Sequence, residues 1–352
     1  MITIVPREAL PEMLELLYMA QYEFVAIGDI TVDAFIELSE QDARVTKNEK
    51  TGRKQLEMNF GEKLPYKDVV IVNAVGNSPN AAVSAHRLGL RSALVTNLGH
   101  DRNGKDCLDQ LRREGVETDY VKVHEGKKTN YHYVLRLGAE RTILIKHEEY
   151  PYVLPNFENP PKYLYFSSIG ENGVGLHHDI AEYLVEHPET KLAFQPGTFQ
   201  IRLGVEALKD LYAVTEIFFC NKEEAQEILK TDETDMPTLL GGIKALGPKI
   251  PVITDGPNGA FALDQEGDTW FMPMYPDPKE PVSRTGAGDA FASTFTSAII
   301  LGEEVGTALA WGPINSMSVV QHIGAQAGLL TRDELLEYLK TAPEFYVPKK
   351  IT

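Results

Sequence analysis

The stretch SALVTNLGHDRNGKDCLDQLRREG, residues 92–115, carries the logic of the whole fold. Its first eight residues are a mostly apolar run, the pattern of a strand covered on both faces. From Gly104 the spacing becomes helical, and Gly115 closes the helix. A strand followed by a crossover helix, repeated along a chain, builds a mostly parallel sheet with helices on both sides.

The unit recurs. FVAIGDITVDAFIEL (24–38) reads as a strand that breaks at Gly28 and resumes, and DVVIV (68–72) is another apolar strand. SPNAAVSAHRLG (78–89) has helical spacing and closes on Gly89. Farther on come KYLYFSSIG (162–170), a helix through HHDIAEYLVEH, KLAFQP (191–196), EIFFCN (216–221) and PVITDG (251–256). GAFALDQEGDTWFMP reads as a hairpin, and the end is helical over 287–301, about 303–321 and 332–340. The expected fold is a three-layer α/β/α sandwich with a mostly parallel central sheet, one domain over 1–352. A helical extension, residues 1–21, precedes it, with an amphipathic helix over 7–20.

Two segments break the rhythm, 37–67 and 129–147. In the second, TNYHYVLRL and RTILIKH alternate with period two around GAE. Tyr131, Tyr133, Leu135 and Leu137 share one face, and His132, Val134 and Arg136 the other. These segments are expected to form a small β-sheet lid that closes over a ligand or pairs with another subunit.

Composition narrows the function. Of 352 residues, 43% are hydrophobic and 24% charged, which fits a globular chain and not a disordered one. With 34 basic and 51 acidic side chains the net charge is −17, so a nucleic-acid partner is not expected. Cys107 and Cys220 make no disulfide framework or metal spacing, which suits a reducing compartment. Acidic residues interrupt MITIVPREALPEMLELLYMA, which lacks the basic start of a signal peptide, and no apolar run reaches the roughly 18 residues of a membrane span. A soluble cytoplasmic protein with no membrane partner is the expectation.

Chemistry concentrates in SRTGAGDAFASTFTSAIILG, residues 283–302. Gly286, Ala287 and Gly288 stand where a side-chain cap would normally satisfy a helix N-terminus. Bare amides there suit an anion. Asp289 beside them suits a general base for a substrate hydroxyl, with the amides stabilising a transferring phosphoryl group. A glycine-rich turn with a capping aspartate is the structural alternative. In CNKEEAQEIL (220–229), Asn221 ends a strand and Glu224 lies in the next helix's first turn, as a hydrated Mg²⁺ site or as an ordinary cap would have them.

Three weaker signals accompany these. In AVGNSPNAAVSAHRLG (74–89), Gly76 permits close backbone approach, and Asn77 and Asn80 offer amides at a strand-to-helix switch; Ser78-Pro79 is also an ordinary helix start. Asp29 and Asp33 end the first strand where the lid departs. A carboxylate there can accept hydrogen bonds from sugar hydroxyls, but Asp29 reads as a turn aspartate. Thr254, Gly256 and Gly259 form a tight turn that suits a nucleotide or a simple hairpin. His177-His178 lacks partners at metal spacing and reads as a solvated helix face.

In this order, the pieces resemble the ribokinase-like (PfkB) family of carbohydrate and nucleoside kinases, from about residue 22 to 340. TGAGDAF (285–291) is similar to the family's C-terminal signature, NKEE (221–224) to its N-x-x-E motif, and GNSPNAAVSAHRLG (76–89) to its N-terminal signature. The lid matches the family's β-sheet lid, often also a dimer clasp, so a homodimer through the lid is expected. The resemblance implies ATP-dependent phosphotransfer to a sugar or sugar-like hydroxyl, with Asp289 as base and Gly286, Ala287 and Gly288 as anion hole. It implies Mg²⁺ at Asn221 and Glu224, acceptor binding by Asp33, Gly76, Asn77 and Asn80, and nucleotide contact by Thr254, Gly256, Gly259 and Asn315. Arg141 would contact the substrate or the transferring phosphate. A nucleoside acceptor, or a catalytically silent regulator, stays open; a dinucleotide oxidoreductase does not, because GDITVD lacks G-x-G-x-x-G.

The sequence departs from the family at three places. Val75-Gly76 replaces a Gly-Gly pair, and Gln195 stands where an aspartate is common. Ser283 replaces an aspartate that helps bind a monovalent cation, which leaves that cation open; the Arg284 guanidinium would stand in for it. Lys127, Lys128, Arg136 and Arg141 near the lid would favour an acidic or phosphorylated sugar, although solvated lysines are the plainer reading of the first two.

Overall fold

The structure is a computed structural model that describes residues 22–351 apart from 51 and 139. The helix expected over 7–20 lies outside the described residues.

The main sheet has ten strands. In chain order they are β1 (Phe24–Ile27), β6 (Ser92–Gly99), β7 (Val121–His124), β10 (Tyr163–Phe166), β11 (Lys191–Phe194), β12 (Ile217–Asn221), β13 (Ile250–Thr254), β14 (Ala260–Leu263), β15 (Thr269–Met272) and β16 (Lys349–Lys350). Their spatial order is β16-β15-β14-β13-β12-β11-β10-β1-β6-β7. Pairing is parallel from β7 across to β13 and antiparallel from β13 to β16. The order reverses at β1, so the crevice outside its carboxyl end is where an open α/β sheet takes a ligand.

Ten α-helices accompany the strands among the described residues: α1 (Asn77–Arg87), α2 (Arg102–Arg113), α3 (Val174–Glu186), α4 (Thr198–Leu203), α5 (Lys209–Val214), α6 (Lys222–Leu229), α7 (Met236–Ala245), α8 (Ala287–Ile300), α9 (Val305–Val320) and α10 (Arg332–Lys340). Strand residues alternate between two buried cores. Phe24, Ala26, Ile217 and Phe219 join the core under α1, α2, α8, α9 and α10. Val25, Ile27, Phe218 and Cys220 join the one under α3, α5, α6 and α7. Burial on both faces explains why these strands read as unbroken apolar runs. No helix among the described residues is long and apolar enough to cross a membrane.

The lid is a four-stranded sheet of order β5-β2-β8-β9, made of β2 (Thr31–Leu38), β5 (Tyr66–Val75), β8 (Asn130–Leu137) and β9 (Glu140–Leu144). DVVIV therefore lies in the lid and not in the main sheet. The 37–67 segment supplies a separate hairpin, β3 (Ala43–Lys47) with β4 (Lys54–Met58). The break at Gly28–Ile30 carries the chain from the main sheet into the lid, placing Asp29 and Asp33 at the junction.

One further reading is corrected, and one helix was not foreseen. His177 is buried, held by Gly173 O at 3.0 Å and by Gln200 Nε2 at 3.1 Å, because α3 turns that face to the sheet; only His178 is solvated. Helix α7 escapes a sequence reading because of its glycine pair. Asp235 caps it, accepting the Thr238 N–H at 3.0 Å, and Pro237 fits its first turn.

Candidate active site

The carboxyl ends of the parallel strands open onto a cavity of about 420 Å³. Its lining includes Asp29 and Asp33 after β1, Gln195 after β11, Asn221 at the end of β12 and Thr254 at the end of β13. Helices α1 and α8 aim their N-termini at it, and β9 covers it with Arg141, Ile143 and Ile145 nearby.

Helix α8 begins without a side-chain cap. Gly286 has φ 86°, a left-handed conformation, and a Cβ there would stand 2.3 Å from Ala325 Cβ. Gly286 is thus folded close against Ala325, and Gly286 and Gly288 both line the cavity. Thr285 Oγ1 beside it is buried without a hydrogen-bond partner among the described residues. Gly76 makes the matching turn into α1, with φ 128°, and a Cβ there would stand 2.6 Å from Asp29 O.

Asp289, 9% exposed, is the focus of this geometry. Asn77 Nδ2 donates to its Oδ1 at 2.8 Å, Asn80 Nδ2 to its Oδ2 at 2.8 Å, and Gln195 Nε2 to Oδ1 at 3.3 Å. Gln326 Nε2 reaches Asn80 Oδ1 at 3.1 Å and fixes which way that amide points. Burial pushes the Asp289 carboxyl above the ordinary carboxylate range, against the three amides and the Arg141 charge, which favour the ionised form.

Asn221 and Glu224 cap α6. Asn221 Oδ1 accepts the Glu224 N–H at 2.8 Å, and Glu224 Oε2 accepts the Asn221 N–H at 2.8 Å. The structural alternative is therefore present, and both residues also line the cavity. Burial pushes the Glu224 carboxyl up, opposed by the Asn221 N–H. Among the described residues, no group of three or more His, Cys, Asp or Glu could hold a metal ion.

A second cavity of about 170 Å³ adjoins the first, sharing Thr254, Arg284, Gly288 and Phe291. Gly256, Gly259, Pro257, Met274, Met317 and Val320 make its walls largely apolar. Asn315 is not among them, contrary to expectation. It is fully buried, donating to Thr294 Oγ1 at 2.8 Å and accepting the Leu330 N–H at 3.0 Å, so it ties α9 to α8. Ser283 is also buried, its Oγ accepting the Thr285 N–H at 3.3 Å, while Arg284 is exposed and lines both cavities.

Sequence reasoning missed several residues here. Asp29 is no simple turn aspartate: His147 Nδ1 and Tyr152 Oη both reach its carboxylate at 2.8 Å. His132, His147 and Gln326 had no signal at all, since only the fold brings them to the site. The lid cations mostly point elsewhere. Arg136 donates to Val282 O at 2.9 Å and Lys127 to Glu149 O at 2.9 Å, Lys128 is exposed, and only Arg141 lines the cavity.

The pfkB family carbohydrate kinase profile matches residues 53–332. The chain belongs to the pfkB family of carbohydrate kinases. Among pfkB relatives, the ribokinase of Bacillus subtilis is 27% identical over 272 residues, covering 75% of this chain and 87% of its own. The ATP-dependent 6-phosphofructokinase of Thermoanaerobacterium thermosaccharolyticum is 26% identical, covering 71% and 80%. The structure of Arabidopsis thaliana ribokinase complexed with ribose and ATP superposes with TM-score 0.71 at 20% identity, over 91% of this chain and 99% of that one. The ribokinase-like fold, with its large mostly parallel sheet and small second sheet, is that of a pfkB kinase.

Proposed function

We propose that this protein transfers the γ-phosphate of ATP to a hydroxyl of a sugar or sugar-like acceptor, with Asp289 as general base. One observation carries the reading: a buried carboxylate, aimed by two asparagine amides, stands beside the uncapped N-terminus of α8 where two cavities meet. The larger cavity would take the acceptor, with Asp33, Gly76, Asn77 and Asn80 around it. The smaller, apolar one would take the nucleotide, with Thr254, Gly256 and Gly259 along its edge.

In the reaction the acceptor hydroxyl gives its proton to Asp289. Its oxygen forms a bond to the γ-phosphorus as the bond from that phosphorus to the bridging oxygen breaks, and ADP leaves. The amides of Gly286, Ala287 and Gly288 would meet the charge on the phosphoryl oxygens, helped by the positive end of the helix. Arg141, close enough to Asp289 and Arg284 for their charges to act on it, and Arg284 add positive charge at this end. Arg284 would supply it where Ser283 carries none.

The donor set fits Mg²⁺ arriving with the nucleotide. Glu224 spends Oε2 on the Asn221 N–H and keeps Oε1 for a hydrated ion, in line with a metal that takes few protein ligands. Bound there, Mg²⁺ neutralises phosphate charge; Glu224 and Asn221 would hold it. The lid would exclude water, favouring transfer over hydrolysis.

The test is ADP release from Mg-ATP against sugars, sugar acids, sugar phosphates and nucleosides. Asp289→Asn should fold as the parent does and lose at least ~100-fold in turnover, the low end for a general base. Unchanged turnover would sink the mechanism, and a nucleoside as best acceptor would replace the sugar.

A further inference from the structure

Behind the Asp289 carboxylate stands a tyrosine that lines neither cavity. Tyr165 sits on β10, fully buried, with its ring stacked on Phe24 at 5.2 Å and its side chain in the core shared with α1 and α8. Its hydroxyl donates to Gln195 Oε1, and among the described residues it has no second partner. Gln195 follows β11, where its backbone N–H donates to Phe166 O at 2.9 Å. The other end of the same side-chain amide reaches the base, Nε2 donating to Asp289 Oδ1 at 3.3 Å. Three side chains from separate elements thus make one hydrogen-bonded path from the core to the cavity.

An amide donates at one end and accepts at the other, so turning Gln195 over would reverse both bonds. An ionised Asp289 only accepts, and Nε2 must face it; Oε1 then takes the phenol proton. A protonated Asp289 could instead donate to Oε1, leaving Nε2 to donate to Tyr165 Oη. In that reversed order the phenol O–H, in a fully buried position, has no acceptor, which is costly. Burial and the Asp289 charge hold the phenol well above its ordinary range, so it stays a neutral donor.

We infer that Tyr165 is a positioning residue: through the Gln195 amide it keeps a hydrogen-bond donor turned toward Asp289, and so favours the carboxylate that takes the acceptor's proton. The inference rests on the reading of Asp289 as base for its effect on turnover; the order of the hydrogen bonds does not. Arg141 on β9, Glu224 on α6, Cys220 on β12 and Arg284 also line this cavity, as do Asp29, Asp33, His132 and His147 where the lid departs. None of them is replaced in the comparison below, so differences within it report on Tyr165 and Gln195.

The experiment compares the parent with Tyr165→Phe, Gln195→Met and the double variant, each checked for folding by thermal unfolding. One readout is the pH dependence of kcat/KM for ADP release from Mg-ATP with the best acceptor of the panel above. The other is a ¹³C NMR titration of carboxyl-labelled aspartates without ATP or acceptor, in which the Asp289 signal is the one that Asp289→Asn lacks. Loss of the phenol O–H removes the penalty on the reversed order, and loss of the amide removes a donor to the ionised form. Each single variant should therefore move the acid limb and the Asp289 titration to higher pH. The double variant should coincide with Gln195→Met, because Tyr165 acts only through the amide. An Asp289 titration that is unmoved or lowered in Tyr165→Phe overturns the inference, and so does a further rise in the double variant. An unmoved titration in Gln195→Met overturns it alone. The expected NMR shifts in a protein that turns over no acceptor overturn the phosphotransfer reading and leave the inference standing. Turnover that is lost in Asp289→Asn, with one Asp289 titration shared by the parent and the three variants, does the reverse.

Discussion

Asp289 is pulled two ways, and the balance sets when it can act. Burial raises its pKa, while Asn80, Asn77 and Gln195 hydrogen bonds favour the charged, working form. Below that pKa the base is protonated and idle, so kcat/KM should fall on the acid side at a pH above the ordinary carboxylate range. Asn80→Ala removes a donor to the ionised form, so the pKa must rise. The acid limb should move to higher pH, with a smaller loss on the plateau. A pH–rate profile that stays put or shifts down would show that Asn80 serves the acceptor and not the base. Sequence made Asp289 and its glycines legible because they are neighbours in the chain. It could not pair Asn77 with Asp289, 212 positions on, or Asp29 with Tyr152, 123 positions on. Asn315 misleads for a related reason: an asparagine inside a helix looks the same whether it faces a nucleotide or Thr294.

At the scale of elements, the start of α8 separates what folding needs from what chemistry needs. Gly286→Ala puts a Cβ 2.3 Å from Ala325 Cβ at φ 86°. It should cost on the order of 1–3 kcal/mol of stability and activity with it. At Gly288 the nearest atom to an added Cβ is Gln195 Nε2, 3.8 Å away, which is ordinary contact. Gly288→Ala should therefore leave stability unchanged or raise it by about 0.5–1 kcal/mol, yet lower kcat, because the methyl group enters the space both cavities share. Denaturant titration and turnover on the same two proteins read both effects; a fully active Gly288→Ala would mean that close approach there is unused. The strand–helix alternation was legible because burial on both faces removes polar residues from strands. The sheet to which DVVIV belongs was not, since an apolar run carries no information about its partner. Only the register, with Val72 opposite Asp33 on β2, assigns it to the lid.

At the scale of the whole molecule, the described residues leave an apolar surface on the lid exposed. Ile71, Ala34, Tyr133 and Leu144 form a row across the lid sheet, since each is the register partner of the next. Ile71, Tyr133 and Leu144 are 57%, 48% and 52% exposed, and Val69 beside them 39%. Asp33, Phe35, His132 and Val134 share the face turned to the cavity, and the other face carries Ile71, Tyr133 and Leu144 to solvent. A contiguous apolar face on a chain of net charge −17 argues for a second copy clasped lid to lid, because apolar contact is what can offset repulsion between two like-charged subunits. Sedimentation should show a dimer that tightens as salt screens the charge. Ile71→Glu with Leu144→Glu should yield a monomer of nearly unchanged unfolding temperature, since neither side chain is buried in the subunit. Its KM for the acceptor should rise, because the strands that lose their partner also hold Asp33 and His132. A parent protein that stays monomeric at high concentration and high salt would refute the clasp, and an unchanged KM in the monomer would show that the lid holds its shape alone.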